Sequence, residues 1–362
     1  MISSPPPATS GEGGAPAVVP PSTAAGDAPV DARPADPGDP ARRRNPLGGH
    51  VPVAGGLART GLAYARRMGA EAVQVFVANP RGWATPTGDP TQDEEFRAGC
   101  AAEGLAVFVH APYLINPASH DGTTGERSVV SLRHSLLRGA AIGALGVVVH
   151  TGSATGGRDR ATGLAAVRER LLPLLEEESG GPDGPMLLLE PTAGQGSSVC
   201  SLVEELGPYI AALDHHPRVG VCLDTCHVFA AGHDLDRPGG VGRMLAALEE
   251  AVGPGRLRLI HANDSAAPRG SRRDRHARIG RGHIGDTAFA ELLAHPATAG
   301  VPLVIETPGG PEGHAGDVAR LREMRAGRMP APVPREEHPP RRTGGSRSTS
   351  RPASRPADGT GG

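Results

Sequence analysis

The stretch LRLIHANDSAAPRGSRRDRHARIGRGHIGD, residues Leu257 to Asp286, holds the pattern that organises the chain. A short, mainly apolar run from Leu257 to Ile260 stops at His261, and a Gly- and Arg-rich loop carrying Asp274-Arg275-His276 follows. In an extended segment alternate side chains point the same way, so Asp274 and His276 share a side and Arg275 turns aside. Imidazole plus carboxylate is a donor set that suits zinc or manganese. Taken alone, the stretch reads equally well as a solvated loop behind a strand-end histidine.

The same arrangement recurs along the body of the chain. Apolar runs predict strands over Leu47–Val51, Ala72–Val77, Leu105–His110, Gly146–His150, Met186–Glu190, Val219–Asp224, Leu257–His261 and Val301–Glu306. Between them lie amphipathic patterns over Gly56–Met68, Ser128–Ile142, Thr162–Glu178, Leu202–Leu213 and Arg243–Val252. Near-continuous apolar strands alternating with helices belong to a parallel sheet buried on both faces. Eight such units predict an α/β protein with a closed (β/α)8 TIM barrel as its single domain.

What ends those strands points to chemistry. Phe108-Val109 ends in His110, Val147-Val148-Val149 in His150, and Leu187-Leu188-Leu189 in Glu190. Cys222-Leu223 ends in Asp224, Leu259-Ile260 in His261, and Val304-Ile305 in Glu306. In a barrel these C-terminal ends converge on one mouth, where active sites of this fold lie. One strand-end histidine is usually structural, but six successive ligand-type residues are not explained that way. Carboxylates buried there without a partner are costly, and a cation removes the cost. His227, three residues after Asp224, and the pair Asp274 and His276 enlarge the set. Nine side chains exceed the three or four that one zinc ion takes and suit three ions if a carboxylate bridges.

Composition bounds the remainder. Of 362 residues, 1–44 and 327–362 are rich in Pro, Ala, Gly, Ser and Arg and poor in large apolar side chains. They read as disordered tails around a folded body at 45–326. A net charge of −2 neither demands nor excludes a nucleic-acid partner. Arginines of the C-terminal tail could graze phosphates, although a solvated spacer explains them as well. The 4 cysteines show no zinc-ribbon or secreted-scaffold spacing. With neither a signal peptide nor a membrane-length apolar run, a soluble, reduced, cytoplasmic protein without membrane association is expected.

Five stretches carry a family resemblance. They are Gly49-His50-Val51 with Ala54-Gly55-Gly56, HAPYLIN from His110 to Asn116, Thr192 to Ser197, VCLDTCHVFAAG from Val221 to Gly232, and His261 to Gly285. Together they span about residues 48 to 308, and the chain resembles the endonuclease IV family of metal-dependent apurinic/apyrimidinic endonucleases. The resemblance implies a TIM barrel with three zinc ions, one of which manganese could replace. It assigns His110, His150 and bridging Glu190 to one ion. Glu190, Asp224, His261 and Glu306 fall to the second, and His227, Asp274 and His276 to the third. It marks Glu190 and Glu306 as catalytic.

The implied activity is base-excision repair by a monomer acting on duplex DNA in the cytoplasm, at the nucleoid. A hydroxide bridging the first two ions would attack the phosphate 5′ to an abasic site, leaving a 3′-hydroxyl and a 5′-deoxyribose phosphate. Arg81 and Trp83, in the loop after the second strand, and Tyr113 and Leu114, after the third, match DNA-contacting loops. Packing at the barrel rim is the other reading of the two aromatics. His50 would orient a ligand or a water from behind. Pro191 stands where relatives usually carry Asn, which puts one supporting hydrogen bond in doubt. The alternative function is a sugar isomerase or epimerase of the same barrel superfamily. The pairs Asp224/His227 and Asp274/His276 weigh against it, because they supply a third ion.

Overall fold

A computed structural model describes residues 44–177 and 184–335. Eight parallel strands close into a barrel. They are β1 (Leu47–His50), β2 (Ala72–Val75), β3 (Ala106–His110), β4 (Gly146–His150), β5 (Met186–Glu190), β6 (Val219–Asp224), β7 (Leu257–His261) and β10 (Leu303–Ile305). Their order around the barrel is β1-β10-β7-β6-β5-β4-β3-β2. The expected strands agree to within a few residues at their ends. A two-stranded antiparallel hairpin, β8 (Asp264–Ser265) with β9 (His276–Ala277), rises from the loop after β7.

The helices are α1 (Ala63–Met68), entered through a π-helical segment Leu57–Leu62, α2 (Pro90–Ala102), α3 (Gly122–Ala141), α4 (Arg160–Glu176), α5 (Leu206–Ala212), α6 (Thr225–Ala231), α7 (Gly240–Val252), α8 (Asp286–Ala294) and α9 (Gly310–Arg325). Aspartates cap several of them. Asp89 accepts from the Thr91 and Gln92 N–H groups, Asp121 from that of Thr124, and Asp159 from that of Thr162. Four helices, α2, α6, α8 and α9, have no counterpart in the sequence reading. In α6 every residue from Thr225 to Ala230 is buried, so the helix shows no polar face to give it away. In α9 three glycines blur the apolar stripe.

Strand alternation sorts the side chains into two cores. Residues facing outward, such as Val73, Val107, Val109, Val147, Leu187, Leu189, Val221 and Ile305, join the helices in one large apolar cluster. Those facing the barrel axis form a separate plug of Ala72, Phe108, Val148, Leu188, Cys222, Leu259 and Val304. Two residues further along each of these strands, on the same side by the pleat, come Gln74, His110, His150, Glu190, Asp224, His261 and Glu306. The polar layer is therefore the next storey above a dry plug. Register places His150 opposite Glu190, Asp224 opposite His261, and His50 opposite Gln74.

The stretches read as tails lie outside the described residues, apart from Arg44 and residues 327–335. The latter form neither helix nor strand, yet Arg328 Nε donates to Glu323 Oε2 (2.6 Å), and the Ala331 carbonyl accepts from Arg320 Nη2 (2.9 Å). Among the described residues, no helix is long and apolar enough to cross a membrane.

Candidate metal centre

All nine ligand-type side chains meet at the C-terminal mouth of the barrel, in overlapping groups. His110, His150 and Glu190 form one, Glu190, Asp224 and His261 a second, and Asp224, His227 and His276 a third. Glu190 Oε2 lies 3.3 Å from His110 Nε2 and 3.4 Å from His150 Nε2, while its Oε1 lies 3.1 Å from His261 Nδ1. Glu190 thus stands between the first two groups. Glu306 reaches the second through Oε2, 3.5 Å from His261 Nδ1. Asp274 joins the third, 3.2 Å from His276 Nε2 and 3.4 Å from His227 Nε2. Cys226 falls near Asp274 and His276, but burial pushes its thiol up to about 12 and its Sγ donates to the Arg275 carbonyl.

Backbone carbonyls aim three of the rings. Nδ1 of His110 lies 2.7 Å from the Ala111 carbonyl, that of His227 3.0 Å from the Pro191 carbonyl, and that of His276 3.2 Å from the Glu306 carbonyl. A carbonyl can only accept, so each Nδ1 carries a hydrogen, and in the neutral ring each Nε2 is left to offer its lone pair. The main chain of Pro191 supplies this support, whatever its side chain lacks. Asp224 has two further tasks: Oδ1 caps α6 by accepting from the His227 N–H (2.9 Å), and Oδ2 accepts from Asn263 Nδ2 (2.8 Å).

The loop bearing Asp274 and His276 is tied down by one buried carboxylate. Asp264 accepts backbone N–H groups from Ser265, Gly280, Gly282, Ile284 and Gly285. At Gly282 a Cβ would come within 2.3 Å of Asp264 Oδ1, so only glycine lets the loop close so tightly.

Charge and burial are at odds throughout the cluster. Glu190, Asp224 and His261 are fully buried. Burial alone would raise Glu190, but the imidazoles of His261, His150, His110 and His227 hold it well below the usual carboxylate range. Glu306 shows the same balance, burial being outweighed by His261, His50 and His110. Burial would lower His227, His261 and His276. The surrounding carboxylates, joined at His261 by the Cys222 thiol, prevail and raise all three, His276 to about 9. At His150 burial wins and lowers the ring to about 4. Protons on imidazoles are one way to balance these carboxylates, and divalent cations are another. Among the described residues, Glu190 Oε2 and His276 Nε2 are buried without a hydrogen-bond partner, and a cation would satisfy both. The donor set and its two orphaned atoms fit metal.

Of the residues expected to meet DNA, Tyr113 lies against the ligand cluster itself. Tyr113 stacks on His150 (centroids 5.8 Å apart, planes at 18°) and is 46% exposed, with Leu114 beside it at 36%. The Tyr113 N–H donates to the Pro80 carbonyl (2.9 Å), which joins the two loops. Arg81 is exposed, whereas Trp83 is half-buried and packs on the large apolar cluster. His50 lies behind the cluster, its Nδ1 3.3 Å from Glu306 Oε1. Sequence reasoning missed Gln74 and Asn263, both fully buried against the ligands. The one signal for Gln74 was a polar residue inside an apolar strand.

The family described as a xylose isomerase-like TIM barrel matches residues 62–324. The chain is 66% identical to a Streptomyces avermitilis protein named "Probable endonuclease 4" over 288 residues, 80% of this chain and 93% of that protein. It is similar to the crystal structure of endonuclease IV from Thermus thermophilus, with a TM-score of 0.68 at 36% identity over 77% of this chain and 98% of that one. A D-tagatose 3-epimerase-like protein matches with a TM-score of 0.61 at 17% identity, over 77% of this chain and 96% of that one, a likeness of fold alone. The chain belongs to the endonuclease IV family and is an enzyme of that family, an AP endonuclease.

Proposed function

We propose that the protein, through a catalytic body at 45–326, hydrolyses the phosphodiester 5′ to an abasic site in duplex DNA. The products are a 3′-hydroxyl and a 5′-deoxyribose phosphate. The observation that carries this reading is the split of nine ligand-type residues into two inner groups sharing Glu190 and a third around His227, Asp274 and His276. The inner groups, completed by Glu306, would hold two zinc ions. The third group would hold another, where manganese could substitute. Divalent cations in such a setting lower the pKa of water to near neutrality and offset the charge of a phosphate.

The chain's own residues do the rest. Glu190 lies between the inner groups, and Glu306 is held from behind by Gln74 and His50. Tyr113 and Leu114 offer exposed apolar surface beside the ligands, suited to the gap left when a nucleotide leaves the stack. Arg81, exposed on the adjoining loop, suits a phosphate or a base face. A monomer acting on chromosomal DNA in the cytoplasm completes the proposal. No observation favours a sugar isomerase or epimerase, since that likeness extends to the fold only.

The test is cleavage of a labelled duplex carrying one abasic analogue that cannot undergo β-elimination. A single nick on its 5′ side with an extendable 3′-hydroxyl, lost in His227→Ala, is expected. An intact duplex after treatment with zinc-loaded protein, or a cut on the 3′ side, would overturn the reading.

A further inference from the structure

One imidazole is turned the other way. His110, His227 and His276 give Nδ1 to backbone carbonyls and Nε2 to the cluster, but His261 presents Nδ1 to Glu190, Glu306 and Asp224. Its Nε2 lies 2.8 Å from the side-chain oxygen of Gln74. Gln74, on β2, is fully buried, and its amide nitrogen lies 2.7 Å from Glu306 Oε1 and 3.0 Å from His50 Nδ1.

These contacts admit one orientation of the amide. A carboxylate only accepts, so the nitrogen faces Glu306 and the oxygen faces His261. That oxygen accepts in turn, so His261 carries a hydrogen on Nε2, and in the neutral ring Nδ1 is left as the lone pair that a cation among Glu190, Asp224 and Glu306 would take. We infer that Gln74 is a positioning residue that fixes the tautomer of His261 and the rotation of Glu306, presenting Nδ1 and Oε2 to the second ion of the proposed centre. The inference rests on that proposal. A leucine would fill similar space but strand His261 Nε2 in a dry layer and leave Glu306 Oε1 with His50 alone. A glutamate would set two carboxylates against each other, and an asparagine is one methylene too short to span both partners.

The test uses the full chain, with zinc titrated against a competing chelator and the His261 tautomer read by nitrogen-15 shifts. In Gln74→Leu, affinity for one of three ions should fall about 10–100-fold while the other two bind as before. In metal-free protein at alkaline pH, where the ring is neutral, His261 should also lose its preference for hydrogen on Nε2. Three ions at wild-type affinity, with the tautomer unchanged, would overturn the inference. If Gln74→Leu fails to fold, Gln74→Glu carries the test. It keeps an acceptor for His261 Nε2 but removes the donor to Glu306 Oε1, so affinity for that one ion should change, and three ions at wild-type affinity would count against Gln74. A wild type that holds its ions but leaves abasic DNA intact would defeat the proposed substrate and leave the Gln74 result standing.

Discussion

The two halves of the candidate centre are built by different means. His110, Glu190, Asp224 and His261 end barrel strands, are at most 2% exposed, and stand above a dry plug that fixes their height. Asp274, in the loop of the β8–β9 hairpin, and His276, which opens β9, have side chains 40% and 17% exposed. Strand register aims the first set. The second is aimed at a distance, by the grip of Asp264 on the loop's backbone. The inner half should therefore tolerate little change of chemistry, and the outer half should respond to residues that touch no ion.

The largest effect tests the inner half. Glu190→Gln keeps the volume but removes the charge shared by both inner groups, and kcat should fall on the order of 10³-fold or more with the fold intact. Single-turnover cleavage measures it. Activity within about tenfold of wild type would mean that Glu190 does not link the two groups.

Asp264→Ala probes the outer half. Removing a buried carboxylate that accepts five backbone N–H groups should cost about 4 kcal/mol of stability. Urea unfolding reads the cost, and zinc titration should show weakening confined to the outer ion. Equal weakening at all sites would show that loop and barrel are one mechanical unit.

The same contrast explains how much the sequence disclosed. Strand-borne residues were legible because each follows an apolar residue at a spacing of two, and burial of that partner dictates where the next polar side chain points. The fold was legible for the same reason, through eight apolar runs in regular succession. Asp274 and His276 could be paired from their spacing, but what holds their loop could not, since Asp264 finds its donors up to 21 residues away. Gln74 escaped notice because an amide is not a ligand type, and its meaning depends on partners from β7 and the end of β10. Helix α6 was hidden by burial on every side.

A smaller effect depends on pH. In protein stripped of metal by chelation, His276 has its folded pKa raised from 6.5 to about 9 by Asp224, Asp274 and Glu306, against burial. A raised histidine stabilises fully below pH 6.5, and the contribution disappears as pH climbs through about 9. At most about 3 kcal/mol is lost across that window. Zinc-loaded protein should show no such loss, because binding has already displaced the proton. Denaturant melts at several pH values decide it, and a flat profile for the stripped protein would contradict the cluster electrostatics described above.

Native mass spectrometry of the zinc-loaded full chain decides whether the nine residues form a centre divisible into inner and outer parts. Three ions are expected on the wild type and two on the Asp274→Ala/His276→Ala double variant. Fewer than three ions on the wild type, or loss of every ion from the double variant, would contradict it.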